Sequence, residues 1–102
     1  MRATPNNSYP GNMTNPYHPP VKRSVEIAGH KTSISLEPMF WDMLRAAAAD
    51  DGVPVNALVA RIDADRIRVE VPPGLAGAIR LWLVARLTKQ LRDQEADGAG
   101  AS

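Results

Sequence analysis

The sequence predicts a mainly α-helical domain that carries one short β-ribbon. Three observations carry this. Lys31 to Leu36 alternates strictly, with Lys31, Ser33 and Ser35 on one side and Thr32, Ile34 and Leu36 on the other. Period-two alternation of this kind marks a half-buried strand. Two helix-periodic runs follow, joined through Asp50-Asp51-Gly52, and a third, more apolar run closes the domain.

The elements read in order as follows. Met1 to Pro20 holds five of the nine prolines and four Asn. It cannot bury enough apolar surface to offset its ordering entropy, so residues 1–21 are expected to form a disordered arm in which Tyr9, Tyr17 and His18 are solvated. Arg23 to Ile27 alternates polar and apolar, and Ala28-Gly29 interrupts it. Gly29 fits either the turn of a hairpin or a bulge within one longer strand, and the sequence leaves both open.

Glu37-Pro38 stops the strand and opens helix 1, because proline suits a first helical position where no N–H is needed. Helix 1 runs to about Asp50, with Phe40, Leu44, Ala47 and Ala48 on one face, Trp41 beside them, and Gly52 as its left-handed end. Helix 2 begins at Val53-Pro54 and runs to about Asp65, with Val55, Leu58, Val59 and Ile62 at i, i+3, i+4 and i+7. Ile67 to Val71 alternates again and reads equally as a short strand or an extended linker. Helix 3 spans about Leu75 to Arg92. Its apolar residues (Leu75, Ile79, Leu81, Trp82, Leu83, Val84, Leu87 and Leu91) lie around most of its circumference, so it is expected to be largely buried, against a partner subunit or across the two-helix unit. The domain is thus expected over 22–92, with a flexible polar tail over 93–102. Trp41 and Trp82 are expected in the core.

The chain has 102 residues, enough for one domain. Only about 70–80 of them are expected to order, a length at which a single core is thin and pairing of two copies is a common remedy. With no cysteine, disulfides and thiolate metal sites are excluded. No apolar run approaches the roughly 20 residues of a membrane span, and the N-terminus has no apolar signal segment, so a cytoplasmic protein with no membrane partner is expected. Net charge is +1, but its distribution is uneven. Residues 1–36 carry Arg2, Lys22, Arg23 and Lys31 against Glu26 alone, whereas residues 37–70 carry seven acids against four Arg. An anion-binding surface would lie on the strand side.

No catalytic arrangement is visible, and no cofactor motif. His18 and His30 have no carboxylate or Cys at ligand spacing, so no metal site is expected. Asp51 reads as a helix-end acid, and Asp63 and Asp65 do not face each other on a helix. Arg45, Arg61, Arg66 and Arg68 read as solvated charges.

The order strand, helix, Gly turn, helix resembles the ribbon-helix-helix proteins, the group of the Arc and MetJ repressors. The residues that carry the likeness are the strand ending in Leu36, the helix start at Glu37-Pro38, Leu44 and Ala48, Gly52, and the Asn56/Leu58/Ile62 run. The stretch from Arg23 to Trp41, with Ala78 to Leu81 in the added C-terminal helix, is similar to a bacterial ribbon-helix-helix subgroup and extends the resemblance from Lys22 to about Leu87.

The resemblance implies an intertwined homodimer in which the two protomers' strands pair antiparallel and helices 1 and 2 of both chains form one core. It implies DNA binding, with the ribbon in the major groove, by a transcriptional regulator that reads a short, partly palindromic site. By position, Lys31, Ser33 and Ser35 face base edges and Thr32, Ile34 and Leu36 anchor the ribbon. The N–H groups of Val55 and Asn56 at the start of helix 2 meet a phosphate. Lys22, Arg23 and His30 are weaker phosphate contacts. Two departures matter: Ser33 and Ser35 are short readers, and Pro54 brings neither a hydroxyl cap nor an N–H to helix 2. Sequence specificity is therefore expected to be modest, or binding cooperative. The alternative is an antitoxin-like interaction module that dimerises through the ribbon and captures a protein partner with helix 3.

Overall fold

The computed structural model describes residues 15–101, with helical side chains through residue 96. Residues 1–14 of the expected arm lie outside the described residues. The rest of that arm leads into the fold through a turn. Asn15 Oδ1 accepts the N–H of Tyr17 at 2.9 Å, and the Asn15 carbonyl accepts that of His18 at 3.1 Å.

Two strands follow, β1 (Val21–Ile27) and β2 (His30–Leu36), paired antiparallel within the one chain. Between them, Ala28 and Gly29 both take positive φ, 52° and 82°. Two residues with positive φ make the tight hairpin turn whose twist matches that of the flanking strands. The choice between bulge and hairpin is thereby resolved. The pairing that the resemblance implies between two protomers is here made by β1 and β2 of one protomer.

Helix α1 spans Pro38–Asp51. Pro38 sits in its first turn, and the Glu37 carbonyl accepts the N–H groups of Phe40 and Trp41. Its end is a left-handed Gly52 (φ 69°), beyond which the Gly52 and Val53 N–H groups return to the Ala49 and Ala48 carbonyls. Helix α2 spans Val55–Arg66, with Pro54 as the residue before it rather than within it. Residues 67–74 form turns and bends with no strand; Ile67, Val69 and Val71 are exposed, which decides for the linker reading. Helix α3 spans Leu75–Ala101, past the expected stop at Arg92 and through most of the stretch expected as a flexible tail. Asp93, Gln94, Glu95 and Ala96 tolerate or favour helix, and Lys89 Nζ reaches Asp93 Oδ2 at 3.0 Å one turn on.

The core is one cluster. Leu36 of β2, Leu44 of α1, Leu58, Val59 and Ile62 of α2, and Ile79 and Leu83 of α3 are fully enclosed, with Val25 and Ile34 of the hairpin on top. β1 lies nearest α2, whereas β2 packs on α1 and α3. Trp41 is buried, as expected, whereas Phe40, expected on the core face, is only half-buried. Trp41 Nε1 donates to the Val21 carbonyl at 2.9 Å and so pins the start of β1 to α1. Trp82 is half-buried. Helix α3 buries one face only: Ala78, Ile79 and Leu83 are enclosed, whereas Leu81, Val84, Leu87 and Leu91 remain exposed in the single chain. Among the described residues, no helix is long and apolar enough to cross a membrane and no group of three His, Asp or Glu side chains is placed to hold a metal.

Ala28 occupies a left-handed position that costs a residue with a Cβ about 1 kcal/mol. Ala28→Asn, giving the Asn-Gly pair that this turn favours, is expected to raise unfolding stability by about that amount in urea titrations followed by circular dichroism. A loss of stability would mean that the turn is not of this type.

Candidate nucleic-acid interface

The hairpin register determines what each face carries. Lys22 pairs with Ser35, Ser24 with Ser33, and Glu26 with Lys31; these six side chains share the outer face. Val21/Leu36, Arg23/Ile34, Val25/Thr32 and Ile27/His30 share the inner face. All three expected base-facing residues therefore stand on the outer face, with Lys31 and Ser33 exposed and Ser35 half-buried. Lys22, expected as a weaker phosphate contact, stands on this outer face as well, across from Ser35. Arg23 and His30 lie on the opposite side of the ribbon, both exposed at its margins.

Two further residues, Ser24 and Glu26, are not among those the sequence pattern marks. Both are exposed on the outer face, and Glu26 stands directly across from Lys31. The signal for them is the turn: once Ala28-Gly29 is a two-residue turn, every cross-strand pair is fixed by counting outward from it.

The Arg23 guanidinium lies 5.8 Å above the Trp41 ring. There it borders an open groove of about 280 Å³ between β1 and the helices, lined also by Val25, Trp41, Arg45, Val55 and Asn56. The structure thus brings three of the expected phosphate contacts, Arg23, Val55 and Asn56, to one place, and adds Arg45. Lys22 and His30 stand apart from it at the two ends of the hairpin. No side chain caps the start of α2, where Pro54 gives only its carbonyl, to Ala57 and Leu58. Its first N–H groups point toward the end where a helix attracts anions. Glu26 also lines the groove and tempers its positive character.

The junction between ribbon and helices is held by Arg80. Its guanidinium donates to Glu37 Oε1 at 2.9 Å and to the Ser35 carbonyl at 3.4 Å, and lies 5.8 Å over the Phe40 ring. The hydrogen bond from Arg80 holds the Glu37 carboxyl below its ordinary value of 4.5. On the far side, Asp51 takes Arg86 through both oxygens, at 2.9 and 3.1 Å, and Arg61 at 3.4 Å, which ties α1 to α3 and α2. That contact with Arg86 lowers the Asp51 carboxyl and raises Arg86. Arg66, expected to be a solvated charge, bonds Asp63 and the Pro73 carbonyl and so anchors the linker.

Residues 20–87 match the family described as "Ribbon-helix-helix domain", which spans hairpin, α1, α2 and the packed half of α3. The chain belongs to the ribbon-helix-helix domain family. Ribbon-helix-helix proteins are generally DNA-binding transcription regulators or antitoxins. Among solved structures, the chain is similar to an uncharacterized protein from Bordetella pertussis Tohama I, with 26% sequence identity and a TM-score of 0.65. The likeness covers 80% of this chain and 66% of that one. No curated protein matches the chain.

Glu37 is depressed in the folded state, so its contribution is complete above its unfolded value of 4.5 and is lost as pH falls through the lower folded value. Arg80→Met keeps an unbranched apolar side chain but removes the guanidinium and with it both this coupling and the contact over Phe40. It is expected to cost on the order of 1 kcal/mol at neutral pH after allowance for solvent. It should also make the acid limb of a stability–pH curve shallower below pH 4.5. An unchanged acid limb in thermal melts across that range would show that the contact does not set the pH response.

Proposed function

We propose that the chain is a DNA-binding protein, a transcriptional regulator that lays the outer face of its hairpin in the major groove. One observation carries the reading. A two-stranded ribbon sealed to the core on one side offers on the other only Lys22, Ser24, Glu26, Lys31, Ser33 and Ser35, with no apolar side chain among them. A groove about 12 Å wide admits a two-stranded ribbon. Lys31 and Lys22 suit guanine edges, and Glu26 beside Lys31 suits the cytosine amino group. The three serines accept several partners and discriminate little, so specificity is modest and is concentrated at the hairpin tip. Arg23, Val55 and Asn56 at the groove, and His30 at the tip, meet phosphates and fix the register.

The working form in this reading is a homodimer. The exposed apolar side of α3 supports it: two copies that bury Leu81, Val84 and Leu91 against each other leave both ribbons free. The reading involves no catalysis and no cofactor, and it places the protein in the cytoplasm, at the nucleoid when bound. A second reading rests on the same α3 surface. If Leu81, Val84 and Leu91, with the nearby Val69, cover a different protein, the chain is an antitoxin-like interaction module.

Mobility shifts with genomic fragments at about 50 and about 200 mM salt decide between them, because phosphate contacts make affinity fall steeply with salt. Lys31→Ala is expected to weaken binding by about 1–3 kcal/mol and to relax base preference, and Arg23→Ala to lower the salt slope by about one. Absence of any shift at either salt, together with a stable one-to-one complex with another protein, would overturn the DNA reading in favour of the second.

A further inference from the structure

A two-stranded ribbon that enters the major groove turns its two edges toward the two phosphate walls. The edges here are not alike. On the β2 side, Arg80 is engaged within the fold, by the Glu37 carboxylate and the Ser35 carbonyl. On the β1 side, the groove between β1 and the helices carries two guanidiniums, Arg23 and Arg45. Arg23 lies over the Trp41 ring, and Arg45 follows Trp41 by one turn of α1, so both bases flank the same indole. Glu26 lines the groove as well, but it belongs to the outer face and stands across from Lys31. Residues 37–70 hold four arginines, Arg45, Arg61, Arg66 and Arg68, and Arg45 alone of them reaches this groove. The other three pair with acids elsewhere on the body.

Arg45 is held in place at this groove by an acid of its own helix. Its Nη2 donates to Asp42 one turn earlier on α1, and both side chains are about half exposed. A guanidinium presents five donors in a fork, and this pair engages one of its nitrogens. An exposed helical pair of this kind is weak, whereas a phosphate accepts the fork through two oxygens. We propose that Arg45 takes the DNA phosphate next to the one met by Arg23, and that Asp42 competes with the DNA for it. The proposal rests on the DNA reading above and adds to it one contact and one built-in rival. A duplex seated by the ribbon and by Arg23 brings a phosphate within reach of Arg45 and displaces the carboxylate. Asp42 therefore holds affinity below what the two arginines would give together. Because the contest is for a phosphate, it leaves base preference untouched. The β1 side grips its phosphate wall through two arginines, and the arginine on the β2 side stays with the fold.

The test uses the full chain and genomic fragments that it shifts, with affinity measured from about 50 to about 200 mM salt. Arg45→Ala is expected to lower the slope of log affinity against log salt by about one, equally on all fragments. Arg45→Lys keeps the charge and is expected to keep the slope. Arg68→Ala removes the same charge from the exposed linker and is expected to leave the slope unchanged. Asp42→Asn is expected to tighten binding about twofold, and that gain is expected to vanish in the Arg45→Ala chain. Circular dichroism checks that each variant is folded. An Arg45→Ala slope equal to that of Arg68→Ala, or an Asp42→Asn gain that persists without Arg45, overturns the proposal and leaves the DNA reading in place. Absence of any shift with the parent chain overturns both.

Discussion

The ribbon closes within one chain because Ala28 and Gly29 both accept positive φ. That turn sets the register, and the register sets everything the outer face can do. It places Glu26 opposite Lys31 and Lys22 opposite Ser35, and puts Val25 and Ile34 together on the core. Ala28 holds its position at a cost, since a Cβ is disfavoured there. Burial of Val25, Ile34 and Leu36 offsets it many times over, each large apolar side chain contributing roughly 1.5–3 kcal/mol. At the other end, the Trp41 indole holds the Val21 carbonyl. The hairpin is thus fixed at the tip by backbone geometry, along its length by apolar packing, and at its base by the hydrogen bonds of Trp41 to Val21 and of Arg80 to Ser35.

Charge is sorted by the same frame. The acids that crowd the middle of the sequence are mostly engaged by arginines of the body: Asp42 by Arg45, Asp51 by Arg61 and Arg86, Asp63 by Arg66, Asp65 by Arg68, Glu37 by Arg80. Exposed pairs of this kind contribute little stability each. Their effect is on the surface potential: they neutralise the body locally. Among the described residues, no ion pair engages Lys22, Arg23 or Lys31. Of the four bases left without an ion pair among the described residues, three (Lys22, Arg23 and Lys31) stand on or beside the ribbon and the fourth, Arg92, on α3.

Local patterns are legible in the sequence, and long-range ones are not. Alternation finds β2 and its two faces, Gly52 marks the end of α1, and the run Leu58, Val59, Ile62 marks the core side of α2. These signals are carried by neighbours in the chain. Trp41 is expected in the core and lies there, but spacing along the helix cannot show that a carbonyl twenty residues earlier takes its N–H. Ser24 and Glu26 go unmarked for want of the turn geometry that turns two alternating runs into one face. Composition ends α3 too early because Asp93 to Ala96 has the character of a polar tail, although each residue is compatible with helix.

The least legible point is what covers the small strand-helix-helix unit. Taken alone, Lys31 to Ile62 exposes apolar faces, and this argues for a second protomer that lends a strand and two helices. In the structure the chain lends itself both: β1 pairs with β2, and Ile79 and Leu83 of α3 complete the core on α1 and α2. The core on the described residues is therefore completed by elements of the same chain. What the single chain leaves uncovered is the free edge of β1 and the outer side of α3, where Leu81, Val84 and Leu91 follow one another around the face opposite the core. The surface that the single chain leaves uncovered thus lies on the elements that flank the unit rather than on the unit itself.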